Sequence, residues 1–568
     1  MAKYDFRVFR SSTRVIASRP VGVPAQATWA ERGWLGGILL LTALVYLRSL
    51  HNGFVLDDTD QIVRNHALAG WSFLWRGFVE NFHWFQTPFR APGGYYRPLQ
   101  GVVLGLGYHL FGTRPMLWHV PPIIFHLLAT VAAFRIARTL LRSRNAALLA
   151  TAGFALAPIQ VGTVGFVSAH ESLAAVLLLW SFALAINAER WSAWTTSALF
   201  YCAALLSFEG AIVLPALIVL YRFCLITGDG VQSARIVFSR RSHTVIGAAL
   251  LFVMLTLLYL ALRIWVLHAF GYDEPSNVST ATVLMTVPAA IVEYLRLLVW
   301  PFSAGPVHPL DFVATLATPE FYSPLALLLL LTASTGLAVC RSMRPGFYVF
   351  CIAWIAVSLA PALLVLAGPM PPFMIQDRYL YVPALGWFLL IAGALDEIIA
   401  SRPASRNIVV IAAAVCGCAF VITTWRVQGY WKDDVAFYSR CLELAPNNPT
   451  YHSGLAWGLL YQENLQAAEY EFAVINRLTP GDMVNLYNLG VVHARMGRCD
   501  EAMREIATSI TALPTPPAQA YIWLTKMHQL RGKTTKRDSG WCRPANSPEG
   551  RRLQRSSARH AALIGKLT

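Results

Sequence analysis

Charge is what this 568-residue chain has least of: Asp, Glu, Lys and Arg make up 13% of it, with 30 acidic residues against 46 basic ones. Beside 56% hydrophobic residues and a mean hydropathy of +0.49, so little charge excludes an ordinary soluble domain. Organised cysteine is missing too. Nine cysteines, several of them inside apolar runs (Cys202, Cys224, Cys340, Cys351, Cys416, Cys418), show neither metal-ligand spacing nor a disulfide framework. No cleavable leader is expected, because Arg7, Arg10, Arg14 and Arg19 lead into a full-length apolar segment without a small-residue cleavage site. The net charge of +16 does not argue for nucleic acid, since the arginines cluster between apolar runs, where they set topology.

What the chain has in abundance is membrane-length apolar sequence. Runs of roughly 17 to 24 residues recur from Trp34 to Thr424, the length that crosses about 30 Å of hydrocarbon. The basic N-terminal stretch, residues 1–33, belongs in the cytoplasm by the positive-inside rule. Segment 34–50 then crosses outward, and the loop 51–116 is exoplasmic. Arg135, Arg138, Arg142 and Arg144 must lie inside, so Leu117–Ala137 crosses and the short, Gly-rich Leu99–Phe111 is interfacial or re-entrant. Crossings near 146–166, 171–188, 193–207 and 210–227 return the chain to Arg235, Arg240 and Arg241. Segment 244–267 goes out, and 283–303, with Glu293 and Arg296, reads as interfacial. Segments 323–340, 346–367, 379–395 and 408–424 complete about eleven crossings on the hydropathy count. The predicted fold is thus all-α: a polytopic domain over 34–424 and an exoplasmic soluble tail.

The tail carries a repeat. Pro446, Pro480 and Pro514 are spaced by 34 residues, and Ala468 and Ala502 recur at the same interval. Leu489-Gly490, Gly497, Ala502 and Pro514 match the tetratricopeptide helix–turn–helix unit. A small Ala502 lets two helices cross closely, Gly497 opens the turn, and each proline ends a second helix. The first copy is weaker, with Ala456 at the place of Gly490 and Phe472 on its second helix. Half-repeats flank the two copies (Trp431–Pro446 and Tyr521–Gly532), so a short α-solenoid is expected over 425–532. From Lys533 onward the basic, aperiodic sequence 533–568 reads as disordered.

Asp57 and Asp58 stand side by side just past the first apolar run, within His51-Asn52-Gly53-Phe54-Val55-Leu56-Asp57-Asp58. Adjacent carboxylates beside a bilayer are costly, and catalysis or cation binding is the usual reason to keep them; a solvated loop edge or a helix cap is the plainer alternative. With Ile62, Asn65, Tyr96-Arg97-Pro98-Leu99, Gly112, His119, His126 and Asp377-Arg378-Tyr379-Leu380-Tyr381-Val382-Pro383, they resemble the transmembrane-and-tetratricopeptide-repeat O-mannosyltransferase family, within the GT-C glycosyltransferases. The resemblance spans roughly residues 34–515. It implies transfer from a polyprenyl-phosphate sugar to an exoplasmic protein hydroxyl or envelope glycan. Asp57 is then the base and Asp58 its tuner, or the pair holds a divalent cation as in metal-dependent relatives. Arg97 and Arg378 are the candidates for the donor phosphate, against a plain role as snorkelling anchors. Arg64 is a weaker candidate, as it suits an amphipathic loop helix. His83, Trp84 and Phe85 read as an interfacial belt rather than an acceptor groove.

Two stretches depart from the family pattern. His170-Glu171 stands where Arg with an acid is common, and Phe208-Glu209 where Lys precedes the acid. Glu171 and Glu209 can still serve as a second acid or as helix N-terminal charges. The tail is expected to hold the acceptor. An alanine- and arginine-rich composition points to a bacterial plasma membrane, with the tail in the periplasm. Two rival readings remain, a non-catalytic envelope scaffold built on the repeats and a lipid-linked saccharide transporter. A scaffold has no need of Asp57, and a transporter favours charges in mid-helix, whereas these acids gather at exoplasmic ends.

Overall fold

The computed structural model describes residues 28–86, 94–168, 170–226, 241–268, 278–367, 375–513, 520–525 and 527. Every regular element among them is a helix, and extended backbone pairs at a single bridge, His308 with Ile375. Hydrocarbon offers no water to backbone groups, so a helix that satisfies its own N–H and C=O groups is what an apolar run of this length forms. Helix α1 (Trp29–Tyr46) begins ahead of Trp34 because Thr28 caps it. The Thr28 hydroxyl accepts from Glu31 N–H, and the Glu31 carboxylate accepts the Thr28 N–H at 2.7 Å.

Eight helices among the described residues are long and apolar enough to cross a membrane, beginning at Trp29, Pro115, Ala249, Thr280, Pro319, Pro345, Asp377 and Pro403. A bent pair, Arg144–Leu156 with Pro158–Val164, turns by 50° and makes a ninth if taken as one span. The fold is therefore an all-α polytopic membrane protein, with fewer full-length spans than the eleven counted from hydropathy. The difference has two sources. Segments 171–188 and 193–207 fold as α5 (His170–Ile186) and α6 (Trp191–Ser207), each of 17 residues. At 1.5 Å per residue they are about 25 Å long, short of about 30 Å of hydrocarbon. Segment 210–227 breaks into a 3₁₀ turn, Glu209–Val213, and the short α7 (Leu214–Tyr221). In the opposite sense, the segment read as interfacial is α9 (Thr280–Val299), which is long enough to cross.

One end of the bundle gathers arginine. Buried Glu31 meets Arg138 at 3.0 Å and Arg144 at 3.3 Å, and Arg344 donates to the Leu140 carbonyl at 2.7 Å. The start of α1, the end of α3 (Val120–Leu140), the start of α4 (Arg144–Leu156) and the start of α11 (Pro345–Leu363) thus share one face. Between the two faces, α5 packs on α6 through Ser181 and Ser197, whose hydroxyls bond each other's backbone carbonyls at 2.6 and 2.7 Å. His126 is a core node: the Ala155 carbonyl, at 2.9 Å, can only accept, so Nε2 donates there and Nδ1 accepts from the Tyr381 hydroxyl at 2.7 Å. Both ring nitrogens are satisfied, which makes His126 a packing residue.

At the other end, α13 (Arg406–Val427) runs into the tail helices α14 (Asp434–Leu444), α15 (Pro449–Tyr461), α16 (Leu465–Leu478), α17 (Met483–Arg495) and α18 (Cys499–Ala512). Helices α15 with α16 and α17 with α18 pack as hairpins around Leu459, Ala468, Phe472, Ala502 and Ile506. Gly490 is obligatory where it stands, because a Cβ there would come within 2.7 Å of Ile506 Cγ1. Gly497 holds φ +81° in the turn after α17, a conformation that glycine enters without strain. Pro446 and Pro480 follow α14 and α16 directly, while Pro514 and the segment 533–568 lie outside the described residues. One cysteine departs from the sequence reading: Cys499 is disulfide-bonded, and the other described cysteines are free.

Candidate functional site

The turn that carries the acid pair is strained and pinned from several sides. Leu56 adopts φ +51°, a left-handed conformation that costs a branched side chain on the order of 1–2 kcal/mol. Its neighbours hold it there. Gly53 N–H donates to the Lys432 carbonyl at 2.7 Å, the Gly53 carbonyl meets His119 Nε2 at 3.2 Å, and Asn52 donates to the Gln428 carbonyl at 3.1 Å. Leu56 N–H itself donates to the Asp434 carboxylate at 2.9 Å. The loop beyond it has a small core of its own, Ile62, Leu68, Phe73, Phe82, Leu104 and Trp118, against α2 (Pro98–Phe111). His83, Trp84 and Phe85 join that aromatic cluster, with Trp84 5.5 Å from Phe73 and His83 5.5 Å from Tyr95.

The turn separates the two carboxylates. Asp57 is exposed, whereas Asp58 is fully buried. Asp58 Oδ1 accepts the Ser168 N–H at 2.8 Å and Oδ2 accepts the Val55 N–H at 3.3 Å, so it ties the loop to the start of α5. Burial pushes its carboxyl up to about 7, against the pull of those hydrogen bonds, and the adjacent Asp57 charge adds to the rise. A carboxyl raised in the folded state from 3.8 holds its proton longer than in the unfolded chain, so its contribution to stability falls as pH climbs from about 4 to about 7. Asp58→Asn stays neutral throughout. The difference in thermal stability between Asp58→Asn and the parent should therefore move in favour of Asn as pH rises from 5 to 8, by about 3 kcal/mol at most. A difference that is flat across that range would refute the buried-carboxyl assignment.

Two arginine–carboxylate pairs are coupled electrostatically at this end of the bundle, one of them to Asp57. Arg97, buried at the start of α2, grips Glu209 bidentately, Nε to Oε2 at 2.8 Å and Nη2 to Oε1 at 2.7 Å. Its guanidinium lies 4.2 Å from the Tyr95 ring centroid and 5.0 Å from that of Phe208. Phe208, the residue that replaces a lysine of the family pattern, is thus a platform for Arg97. Arg378 meets Glu171, in the first turn of α5, through Nε at 3.3 Å. The Asp57 charge acts on Arg378, and the Glu171 charge acts on Arg97 as well, so the four groups and Asp57 form one electrostatic cluster.

Arg378 is held by its predecessor. Buried Asp377 accepts from Gly305 N–H at 2.7 Å and from His308 Nε2 at 2.7 Å, which fixes the backbone that aims Arg378 inward. Gly162 lies against this segment, close enough that a Cβ there would be in van der Waals contact with Arg378 N at 3.4 Å. Arg64 is not part of the cluster, since it pairs with Asp60 at 2.8 Å and lies 4.9 Å from the Tyr461 ring centroid. The His170 side chain lies outside the described residues. Both Asp58 oxygens are taken by backbone N–H groups, and no three His, Cys, Asp or Glu side chains gather as a metal needs among the described residues. Asp434 and Tyr438, on α14, were not singled out in the sequence; both face the loop of the acid pair, and the Asp57 charge reaches Tyr438.

The fold and this end of it define a multi-pass membrane protein with an exposed carboxylate beside paired, half-neutralised arginines. No protein-family model matches the chain. Its curated relatives are TMTC protein O-mannosyl-transferases, and the chain is TMTC-like in sequence. It is 22% identical to protein O-mannosyl-transferase TMTC3 of Mus musculus over 525 residues, 84% of this chain and 54% of that protein. It is 32% identical to protein O-mannosyl-transferase Tmtc1 of Drosophila melanogaster over 184 residues, 31% of this chain and 21% of that protein. With Tmtc2 of the same fly the identity is 35% over 155 residues, 27% of this chain and 16% of the relative. The chain spans about half the length of the TMTC3 relatives it matches.

Proposed function

We propose that this chain is a GT-C-type membrane glycosyltransferase that moves a sugar, mannose by analogy with the names of its relatives, from a polyprenyl-phosphate carrier to a protein hydroxyl on the exoplasmic side. The observation that carries the reading is the split of the acid pair: one carboxylate is open to an incoming hydroxyl, and the other is sequestered as the brace of the turn. Asp57 takes the proton of the acceptor hydroxyl as its oxygen bonds to the anomeric carbon. The bond from that carbon to the phosphate oxygen breaks, and the phosphate leaves with the electron pair and its added negative charge. Arg378 and Arg97 stabilise that charge, each released in part from Glu171 or Glu209 as the phosphate enters. A donor phosphate at headgroup depth suits Arg378, which stands in the first turn of the span Asp377–Ser401, just ahead of α12 (Tyr381–Ser401). The tail helices stand beside the same turn, where an acceptor held by them is within reach.

Two experiments test this. Membranes containing the chain should move radiolabelled mannose from polyprenyl-phosphate mannose onto a Ser/Thr-rich peptide, and membranes without it should not. A reporter fused after Thr424 should read exoplasmic and one at Arg142 cytoplasmic, because the arginine-rich face must stay inside. A cytoplasmic tail would put Asp57 on the wrong side for a lipid-linked donor and end the proposal.

A further inference from the structure

The tail is joined to the membrane domain at the acid turn itself. Helix α14 begins at Asp434, capped by Asp433, whose carboxylate accepts Ala436 N–H at 2.9 Å. One residue inward, the partly buried Asp434 reaches back across the domain boundary and accepts Leu56 N–H at 2.9 Å. Leu56 is the residue with left-handed backbone, and Asp57 follows it directly. A turn further along α14, Tyr438 fills the space between this loop and α15: its ring lies where a Cβ on Gly454 would stand, 2.1 Å from Cζ. The charges of Asp434, Asp57 and Asp60 all act on Tyr438.

A left-handed leucine does not hold its conformation unaided, because the ordinary β or right-handed conformations are lower in energy by more than thermal energy. Without an acceptor for its N–H, the turn would relax and Asp57 would swing with it. Asp57 is exposed, so its position follows the backbone of the turn. We propose that Asp434 is a positioning residue for Asp57, so that the first tail helix is part of the catalytic apparatus as well as a platform for acceptors. The proposal rests on Asp57 as the base. Burial lifts the Asp434 carboxyl to about 6, with Leu56 N–H and Arg64 opposing the rise and Asp433 and Asp60 adding to it, so at neutral pH it is largely ionised and a strong acceptor for Leu56 N–H.

The test compares Asp434→Leu, Asp434→Asn and Asp57→Asn in the full chain in membranes, with polyprenyl-phosphate mannose and a Ser/Thr-rich peptide. A displaced base costs turnover, so Asp434→Leu should lower kcat at least tenfold, leave the donor KM within about twofold and leave the protein level unchanged. Asp434→Asn keeps an oxygen for Leu56 N–H and should restore most of that loss. Amide exchange adds a readout independent of turnover: the Leu56 N–H should exchange faster in Asp434→Leu, with the helices α15 to α18 protected as in the parent. If Asp57→Asn is inactive while Asp434→Leu turns over normally, the positioning role is wrong and the function stands. If Asp57→Asn transfers mannose like the parent, the base assignment fails and this inference with it. Unchanged exchange at Leu56 would also overturn it.

Discussion

Asp57→Asn should lower sugar transfer by roughly 10²–10⁴-fold, the contribution of a general base, while the protein accumulates at the parent level. The expectation of a folded variant comes from the turn itself: Asp57 is exposed, and the bonds that build the turn belong to Gly53, Leu56 and Asp58. Asparagine keeps the size and loses only the ability to take a proton. Asp58→Asn should be milder in turnover, since Asp58 faces backbone N–H groups and not the open side. Transfer by Asp57→Asn within a few-fold of the parent would move the chemistry to Glu171, the acid paired with Arg378.

Arg378→Lys is the second large effect. Lysine keeps the charge but cannot present two parallel N–H groups to a phosphate. Loss of one charge-assisted hydrogen bond, worth about 1.5–3 kcal/mol, should raise the donor KM by roughly 10- to 100-fold. Arg97→Lys separates the two arginines. Arg97 already spends Nε and Nη2 on Glu209 and is sandwiched between Tyr95 and Phe208. Its replacement should first lower thermal stability, because Glu209 keeps its place with one donor fewer and the ring stacking is lost. A snorkelling anchor would tolerate lysine, since both side chains reach the headgroups. Donor titrations of both variants that overlay the parent would remove both arginines from the phosphate site.

The acids at 171 and 209 show where sequence reasoning stopped. Read along the chain, Glu171 and Glu209 looked like helix-start charges left behind by missing basic residues. In space each is the partner of an arginine far away in sequence, Glu171 of Arg378 and Glu209 of Arg97. No periodicity connects residues so distant, because helix and loop patterns report only neighbours within a turn or two. The same holds for Asp434: next to Asp433 at the start of a helix it looks like a second capping acid, and only docking reveals its bond to Leu56. The number of spans was also beyond hydropathy alone. A 17-residue apolar helix and a full span carry the same composition, and length against the bilayer separates them.

The sequence by itself determined the class of this protein. Apolar run length and scarce charge dictate helices in a membrane, and the spacing of Gly490, Gly497 and Ala502 predicts the tail hairpins, because each of these is a local property of the chain. The tertiary structure decided what each acid does. Asp57 and Asp58 are chemically identical and adjacent, and only the left-handed turn at Leu56 sends one into the protein against Ser168 and leaves the other exposed. Burial, and with it proton affinity, depends on what the rest of the chain packs around a side chain, and that information is spread across segments distant in sequence.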